Sequence, residues 1–188
     1  EQMIKLPINV SGSTESNWKQ TLNHSHKKLQ DLSKLAGKLQ EDEGRYIRPI
    51  MVIKAETKKK GDSYDHVEDI KKYLIDNLGV SEAEIRIKLS EKDEIKDEDL
   101  LDNLCPVKYI ITKDALKEGW DCSFAYVLSI LSNTKSNVAL TQFIGRVLRQ
   151  PEARATKIKE LNQCYVYSNN SDVNLSLIHI SEPTRHRL

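Results

Sequence analysis

Residues 142–150 read Gln142-Phe143-Ile144-Gly145-Arg146-Val147-Leu148-Arg149-Gln150, and the way they divide between two faces decides how the chain is read. On a helix advancing about 100° per residue, Gln142, Arg146 and Arg149 share one face. Leu140, Phe143, Ile144, Val147 and Leu148 share the other. The pattern predicts a helix from about Ser136, closed by Pro151, that buries its apolar side. Arginines three apart on a helix are neighbours that repel each other, so an anion between them is expected.

The elements before this stretch alternate in kind. Ile50-Met51-Val52-Ile53 is a continuous apolar run, as in a strand buried on both faces of a parallel sheet. Val67, Ile70, Leu74 and Leu78 then recur at helical spacing behind Asp65, an N-cap, and ahead of Gly79. Ile85, Ile87 and Leu89 alternate as a second strand. A charged loop covers 91–99, and Leu100, Leu101 and Leu104 suggest a short helix before Pro106. Strands are expected over 107–111, 125–131 and 163–167. Strand–helix–strand alternation predicts an α/β fold with a parallel sheet flanked by helices. Ligands of such sheets bind beyond the carboxyl ends of the strands, where both this stretch and Lys113-Asp114-Ala115-Leu116-Lys117-Glu118-Gly119-Trp120-Asp121 are expected. Upstream, Ile4, Leu6, Ile8 and Val10 alternate as a brief strand or connector. Trp18, Leu22, Leu29, Leu32, Leu35, Ala36 and Leu39 mark a long amphipathic helix that Gly44 stops. His24 and His26, two apart on it, point to different sides and read as solvated residues rather than a metal pair.

Composition narrows the class. The chain has 188 residues, 38% hydrophobic and 30% charged, with a formal net charge of +1. That suits one domain with a modest core and gives no global electrostatic argument for nucleic acid, so any basic surface must be local. Cys105, Cys122 and Cys164 are scattered and odd in number, which supports neither a zinc site nor a disulfide framework; a reducing cytoplasm is expected. No apolar run approaches a membrane span, and the N-terminus has no signal pattern and reads as a chain entered midway. Residues 176–186 resemble translated sequencing-adapter sequence and are set aside with the rest of a disordered or non-native tail. Glu94-x-Lys96 echoes a nuclease pattern, but in a charge-rich loop such triplets arise by chance, and it is rejected as a site.

Gln142-x-x-Gly145-Arg146-x-x-Arg149 resembles motif VI of superfamily 2 helicases and translocases. Ala115-Leu116-x-Glu118-Gly119-Trp120-Asp121 resembles motif V of the same group. The wording is most similar to the restriction (Res) subunits of type III restriction–modification systems, over about residues 47–167. The resemblance implies a RecA-like parallel sheet flanked by helices, the C-terminal motor domain of a DEAD/DEAH-type helicase and a fragment of a larger protein. It divides the chain into an N-terminal connector and helix (1–44), the RecA-like domain (45–170) and the tail (171–188). It implies that Arg146 and Arg149 are arginine fingers for ATP hydrolysis, where a guanidinium stabilises charge on the γ-phosphate. It places Gly119, Asp121, Gln142 and Gly145 at the nucleotide cleft. Thr112, Lys113 and Lys54 lie where the family touches the nucleic-acid backbone, although a solvated basic turn suits Lys54 and the following Lys58, Lys59 and Lys60 as well. A basic cluster at Arg154, Lys157 and Lys159 would add sequence-independent grip.

The expected cofactors are ATP and Mg²⁺, held mainly by a preceding RecA-like domain, because residues 1–188 contain no phosphate-binding G-x-x-x-x-G-K-S/T loop. The expected partners are double- or single-stranded DNA, that preceding domain and a modification methyltransferase subunit. The alternatives are an RNA helicase of superfamily 2 and a non-catalytic RecA-like nucleic-acid-binding module. A plainer reading of an isolated G-R-x-x-R is a surface helix with scattered charge.

Overall fold

The computed structural model describes residues 4–12, 17–57, 65–113, 121–132, 142–145 and 149–169. Six strands form one sheet: β1 (Ile8–Gly12), β2 (Ile50–Lys54), β3 (Ile85–Lys88), β4 (Tyr109–Thr112), β5 (Ala125–Ile130) and β6 (Cys164–Ser168). Their order is β1-β6-β5-β2-β4-β3, and every pairing is parallel. The uninterrupted apolar runs explain the centre of the sheet. Each residue of β2, β4 and β5 is buried, as happens when a parallel sheet is covered on both faces. At the edge, β3 alternates buried and half-buried residues.

Two helices cover one face. α1 (Trp18–Glu43) starts at Asn17, whose side chain accepts the Lys19 N–H, and ends at Gly44 with φ 68°. That left-handed turn costs a glycine little. Leu22, Leu29, Leu32, Ala36 and Leu39 form its buried stripe. α2 (His66–Asp76) starts at Asp65, which accepts the Val67 N–H, with Glu68 and Asp69 in its first turn, where carboxylates suit the helix dipole. The helices meet where the Trp18 ring lies 5.5 Å from that of Tyr73 and the Tyr73 hydroxyl donates to Asn23 at 2.7 Å.

Several expectations change. Residues 100–104 form turns, not a helix, because Asp99 and Asp102 accept the Leu101 and Leu104 N–H groups, the local bonding by which aspartate competes with helix. His26 is not solvated: it is 9% exposed and its Nδ1 lies 2.7 Å from the Tyr109 hydroxyl. The charged loop is tied to β3. Glu94 accepts the Ile87 N–H at 2.6 Å and its own N–H bonds the Ile87 carbonyl at 3.0 Å, so Glu94 blunts an edge strand, in keeping with its rejection as a nuclease residue.

A sheet with all strands parallel has two chemically distinct edges. Lys54, Thr112 and Ile130 end their strands side by side at the carboxyl edge. The segments entering β2, β4, β5 and β6 gather at the amino edge.

Candidate functional site

The amino edge holds the most organised cluster of candidate residues. Asp121 lies four residues before β5. Arg149 forms an antiparallel bridge with Ile4, ahead of β1. Between them runs an ion pair, Arg149 Nη1 to Asp121 Oδ2 at 2.7 Å. The anion expected beside Arg149 is thus supplied, in this structure, by the chain itself. Both side chains are well exposed, at 69% and 41%, so a pair of this kind contributes only about 0–1 kcal/mol to folding. Arg149 is not on the helix predicted for it. Gln150 precedes Pro151 and is extended, with φ −75° and ψ 135°, because the proline ring disfavours helical backbone in the residue before it.

Residues 142–145 are helical, with Phe143 and Ile144 buried and Gln142 and Gly145 exposed. The expected two-sidedness holds over these four positions. A Cβ added to Gly145 would meet nothing within 4 Å, so no described part of this chain requires glycine there. Gly119 and Arg146 lie outside the described residues, as do Glu118, Trp120, Lys58, Lys59 and Lys60.

Buried cations that the sequence does not announce anchor the amino edge. Glu152 and Ala153 have φ of 55° and 49°, a left-handed turn that costs side-chain-bearing residues about 1–3 kcal/mol each. Arg45, 6% exposed, holds that turn by donating to the carbonyls of Pro151 (2.8 Å), Arg154 (2.8 Å) and Ala155 (3.1 Å). Arg48 likewise donates to the carbonyls of Val107 and Asp102 at 2.8 and 2.9 Å and to that of Leu100. Lys5, 0% exposed, donates to the Ala125 carbonyl at 2.8 Å, and its ammonium lies 4.6 Å from the centre of the Tyr126 ring. An open cleft of about 570 Å³ lies along this edge between Arg45, Tyr46, Asp102, Phe124 and Glu152.

The carboxyl edge carries a second cluster. Thr112 is fully buried, and its hydroxyl has no hydrogen-bond partner among the described residues. Lys54 is 7% exposed and its ammonium donates to Ser132 Oγ at 3.2 Å, so it does not sit on a solvated turn. Lys113 is half-buried and reaches solvent. His66 joins this edge: its Nδ1 accepts the Glu56 N–H at 2.9 Å, so the neutral ring carries its proton on Nε2. Burial lowers its pKa, against the carboxylates of Glu56, Asp69 and Asp65, with Lys113 acting in the same direction as burial. Both marked stretches were expected at the carboxyl edge. The structure splits them, with Thr112 and Lys113 at that edge and Asp121 and Arg149 at the other.

No family model matches the chain, and no curated protein does. Among solved structures, one described as a fragment of an HsdR subunit of a type I restriction enzyme from Vibrio vulnificus YJ016 superposes with a TM-score of 0.57 at 12% identity. The alignment covers 97% of this chain and 34% of that one. The two share a fold. The ATP-dependent type ISP restriction–modification enzyme LlaBIII bound to DNA aligns over 95% of this chain and 14% of its own, at 10% identity and a TM-score of 0.48, too low to carry an argument. The α/β architecture, a RecA-like parallel sheet flanked by helices, is thus common to this chain and a restriction-enzyme subunit. This chain spans about a third of the length of that protein. Among the described residues no helix is long and apolar enough to cross a membrane, and no cluster of His, Cys, Asp or Glu could hold a metal ion.

Proposed function

We propose that this chain is the second motor domain of an ATP-dependent DNA helicase or translocase of the restriction-enzyme kind. The observation that carries the reading is the exposed Asp121–Arg149 pair at the amino edge, where two motif-like stretches far apart in sequence converge on a fold shared with an HsdR fragment. A guanidinium has five donors, so one contact to Asp121 leaves others for a phosphate. An arginine presented at 69% exposure suits a finger offered to a facing domain. The donor set fits a nucleotide polyphosphate, and Gln142 and Gly145 present an exposed helix face to the same role. ATP and Mg²⁺ would be held mainly by a preceding RecA-like domain; Arg146, Arg149, Asp121, Gly119, Gln142 and Gly145 would form the second wall. When bound there, ATP supplies the phosphoryl group whose transfer spreads negative charge; Arg149 would leave Asp121 to meet that charge.

The carboxyl edge would carry part of the DNA track through Lys113, with Thr112 and Lys54 beneath it. Its separation from the nucleotide wall by the length of the strands gives the domain two working edges joined by a rigid sheet. The Glu-Gly-Trp-Asp and Ile-Gly-Arg-Val-Leu-Arg wording favours the type III Res kind among restriction motors, with a modification methyltransferase as partner subunit.

The test is Arg149→Ala in the full-length protein. DNA-stimulated ATPase should fall by about 10³-fold or more while folding is retained. Wild-type turnover in a folded variant would remove the finger assignment. Stimulation by RNA in place of DNA would move the protein to the RNA helicases, and absence of any ATPase in the wild type would leave a nucleic-acid-binding module.

A further inference from the structure

We propose that Lys5 is a positioning residue that sets the Asp121–Arg149 pair from beneath, so that the segment leading into β1 controls the nucleotide wall; the inference rests on the motor reading above. Three contacts place the segment there. Ile4 bridges the backbone of Arg149. Leu6 donates its N–H to Asn162 at 2.9 Å, and Pro7 accepts the Cys164 N–H at 3.3 Å. Between these, the Lys5 side chain passes under the edge and its ammonium bonds the Ala125 carbonyl, four residues from Asp121. One short strap therefore grips Arg149 by its backbone and the Asp121 turn by a buried cation.

The electrostatics agree with the geometry. Burial lowers the Lys5 pKa to about 8, and the groups acting the other way are Cys164 on β6, then Cys122 and Asp121 on the turn before β5. Burial also holds the two thiols protonated, pushing Cys164 up to about 11 and Cys122 in the same direction. Tyr126 on β5, facing the ammonium, is also pushed up by burial and stays neutral. Asp121 is thus among the groups that favour the Lys5 ammonium, beside thiols that burial keeps protonated. A buried charge adds little stability that an apolar side chain of similar length would not supply. Its use lies in where it holds the turn that carries Asp121.

The experiment compares Lys5→Met, which removes donor and charge, with Lys5→Gln, which keeps a donor for the Ala125 carbonyl. Both are made in the full-length protein beside Arg149→Ala. Lys5→Met should lower kcat for DNA-stimulated ATP hydrolysis by about tenfold to a hundredfold, the scale of a misplaced catalytic group. The KM for ATP should stay within about twofold and the unfolding midpoint should not fall. Lys5→Gln should recover most of kcat. The Nε–H NMR signal of Arg149 should move toward that of a solvated arginine in Lys5→Met and return in Lys5→Gln. Wild-type kcat in Lys5→Met overturns the proposal, as does a loss of kcat that follows a loss of stability equally in both variants. If Arg149→Ala keeps full ATPase, the motor reading fails on its own, and the NMR signal then decides for Lys5: a shift in Lys5→Met upholds its positioning of the pair, and an unmoved signal overturns it.

Discussion

The buried ammonium of Lys5 makes the stability of this domain depend on alkaline pH in a way that can be worked out in advance. Its pKa falls from 10.5 to about 8, chiefly through burial. Below pH 8 the group is protonated in both folded and unfolded chains, and the cost of burying the charge is present in full. Between about 8 and 10.5 the unfolded chain keeps the proton and the folded chain does not, so stability rises with pH across that window. The gap corresponds to about 3 kcal/mol. The buried thiols act in the opposite sense. Cys164 is raised from 9.0 to about 11 and Cys122 and Cys105 are raised as well, so the unfolded chain releases those protons first and stability falls above about pH 9. Wild-type stability should therefore rise from pH 8 to 9 and then flatten or fall. Lys5→Met isolates the lysine, because the thiol contributions largely cancel in the difference between the two proteins. Urea unfolding midpoints measured from pH 7 to 10.5 should show the variant as stable as wild type or more so at pH 7. Wild type should gain on it by about 3 kcal/mol by pH 10.5. A difference that stays constant across the range would mean that Lys5 is solvated, and the strap would not be packed as described.

Other perturbations separate folding from function. Arg149→Ala should change unfolding free energy by less than about 1 kcal/mol, since both partners of its ion pair are exposed; a larger loss in chemical denaturation would make the pair structural. Gly145→Ala should leave the unfolding midpoint unchanged or raise it, because nothing described lies within 4 Å of the added Cβ and alanine is the better helix former. A lowered DNA-stimulated ATPase in that variant would place the demand for glycine in a facing domain, and unchanged ATPase would remove Gly145 from the cleft. Ala153→Gly should stabilise by about 1 kcal/mol by relieving a φ of 49°, checked by thermal unfolding. At acid pH, burial lowers the pKa of His26 and His66 below 6.5. The unfolded chain then binds more protons, and stability present above about pH 6.5 should be lost as pH falls below it; the loss should shrink in His26→Gln, followed by the same urea titration.

The parts of the fold legible in sequence are those that depend on continuous runs. Ile50-Met51-Val52-Ile53 can only be a strand buried on both faces, and the stripe from Leu22 to Leu39 can only be the inner side of a long helix. What escapes is whatever depends on partners distant in sequence. Lys5 bonds a carbonyl 120 residues away, Arg45 bonds one 106 residues away and His26 meets a hydroxyl 83 residues away. A charged residue in an ordinary polar stretch carries no mark of such a partner. The solvated reading then fails for His26, as does the solvated-turn alternative for Lys54, and the burial of Arg45 and Arg48 goes unread. Arg149 shows a mixed case. Its place in a motif could be read from the spacing, but its backbone could not: Arg149 bridges Ile4, and Pro151 holds Gln150 extended.

The split of the marked stretches between two edges follows from topology and bears on how such a domain works. A parallel strand begins at one edge and ends at the other, so a segment that runs from the end of β4 to the start of β5 must cross the domain. Thr112 and Lys113 lie at the carboxyl edge and Asp121 lies at the amino edge. Likewise β5 ends at Ile130 at the carboxyl edge, and Arg149 lies at the amino edge ahead of β6. Among the described residues, the far ends of the two segments meet at the Asp121–Arg149 pair. In the motor reading, a change at that pair, as Arg149 turns from Asp121 toward phosphate, bears on both segments at once, and one of them ends beside Lys113 and His66 at the edge assigned to DNA. A two-state contact that two segments share is the physical element that coupling between distant sites requires. Charge reversal, Asp121→Arg with Arg149→Asp, tests it. It preserves attraction within the pair but presents the arginine from the wrong segment. DNA affinity without nucleotide should survive within about twofold, since the motor reading puts the phosphate contacts at the other edge, and its dependence on nucleotide should vanish. Retained nucleotide dependence in the swapped protein would show that the coupling does not pass through this pair.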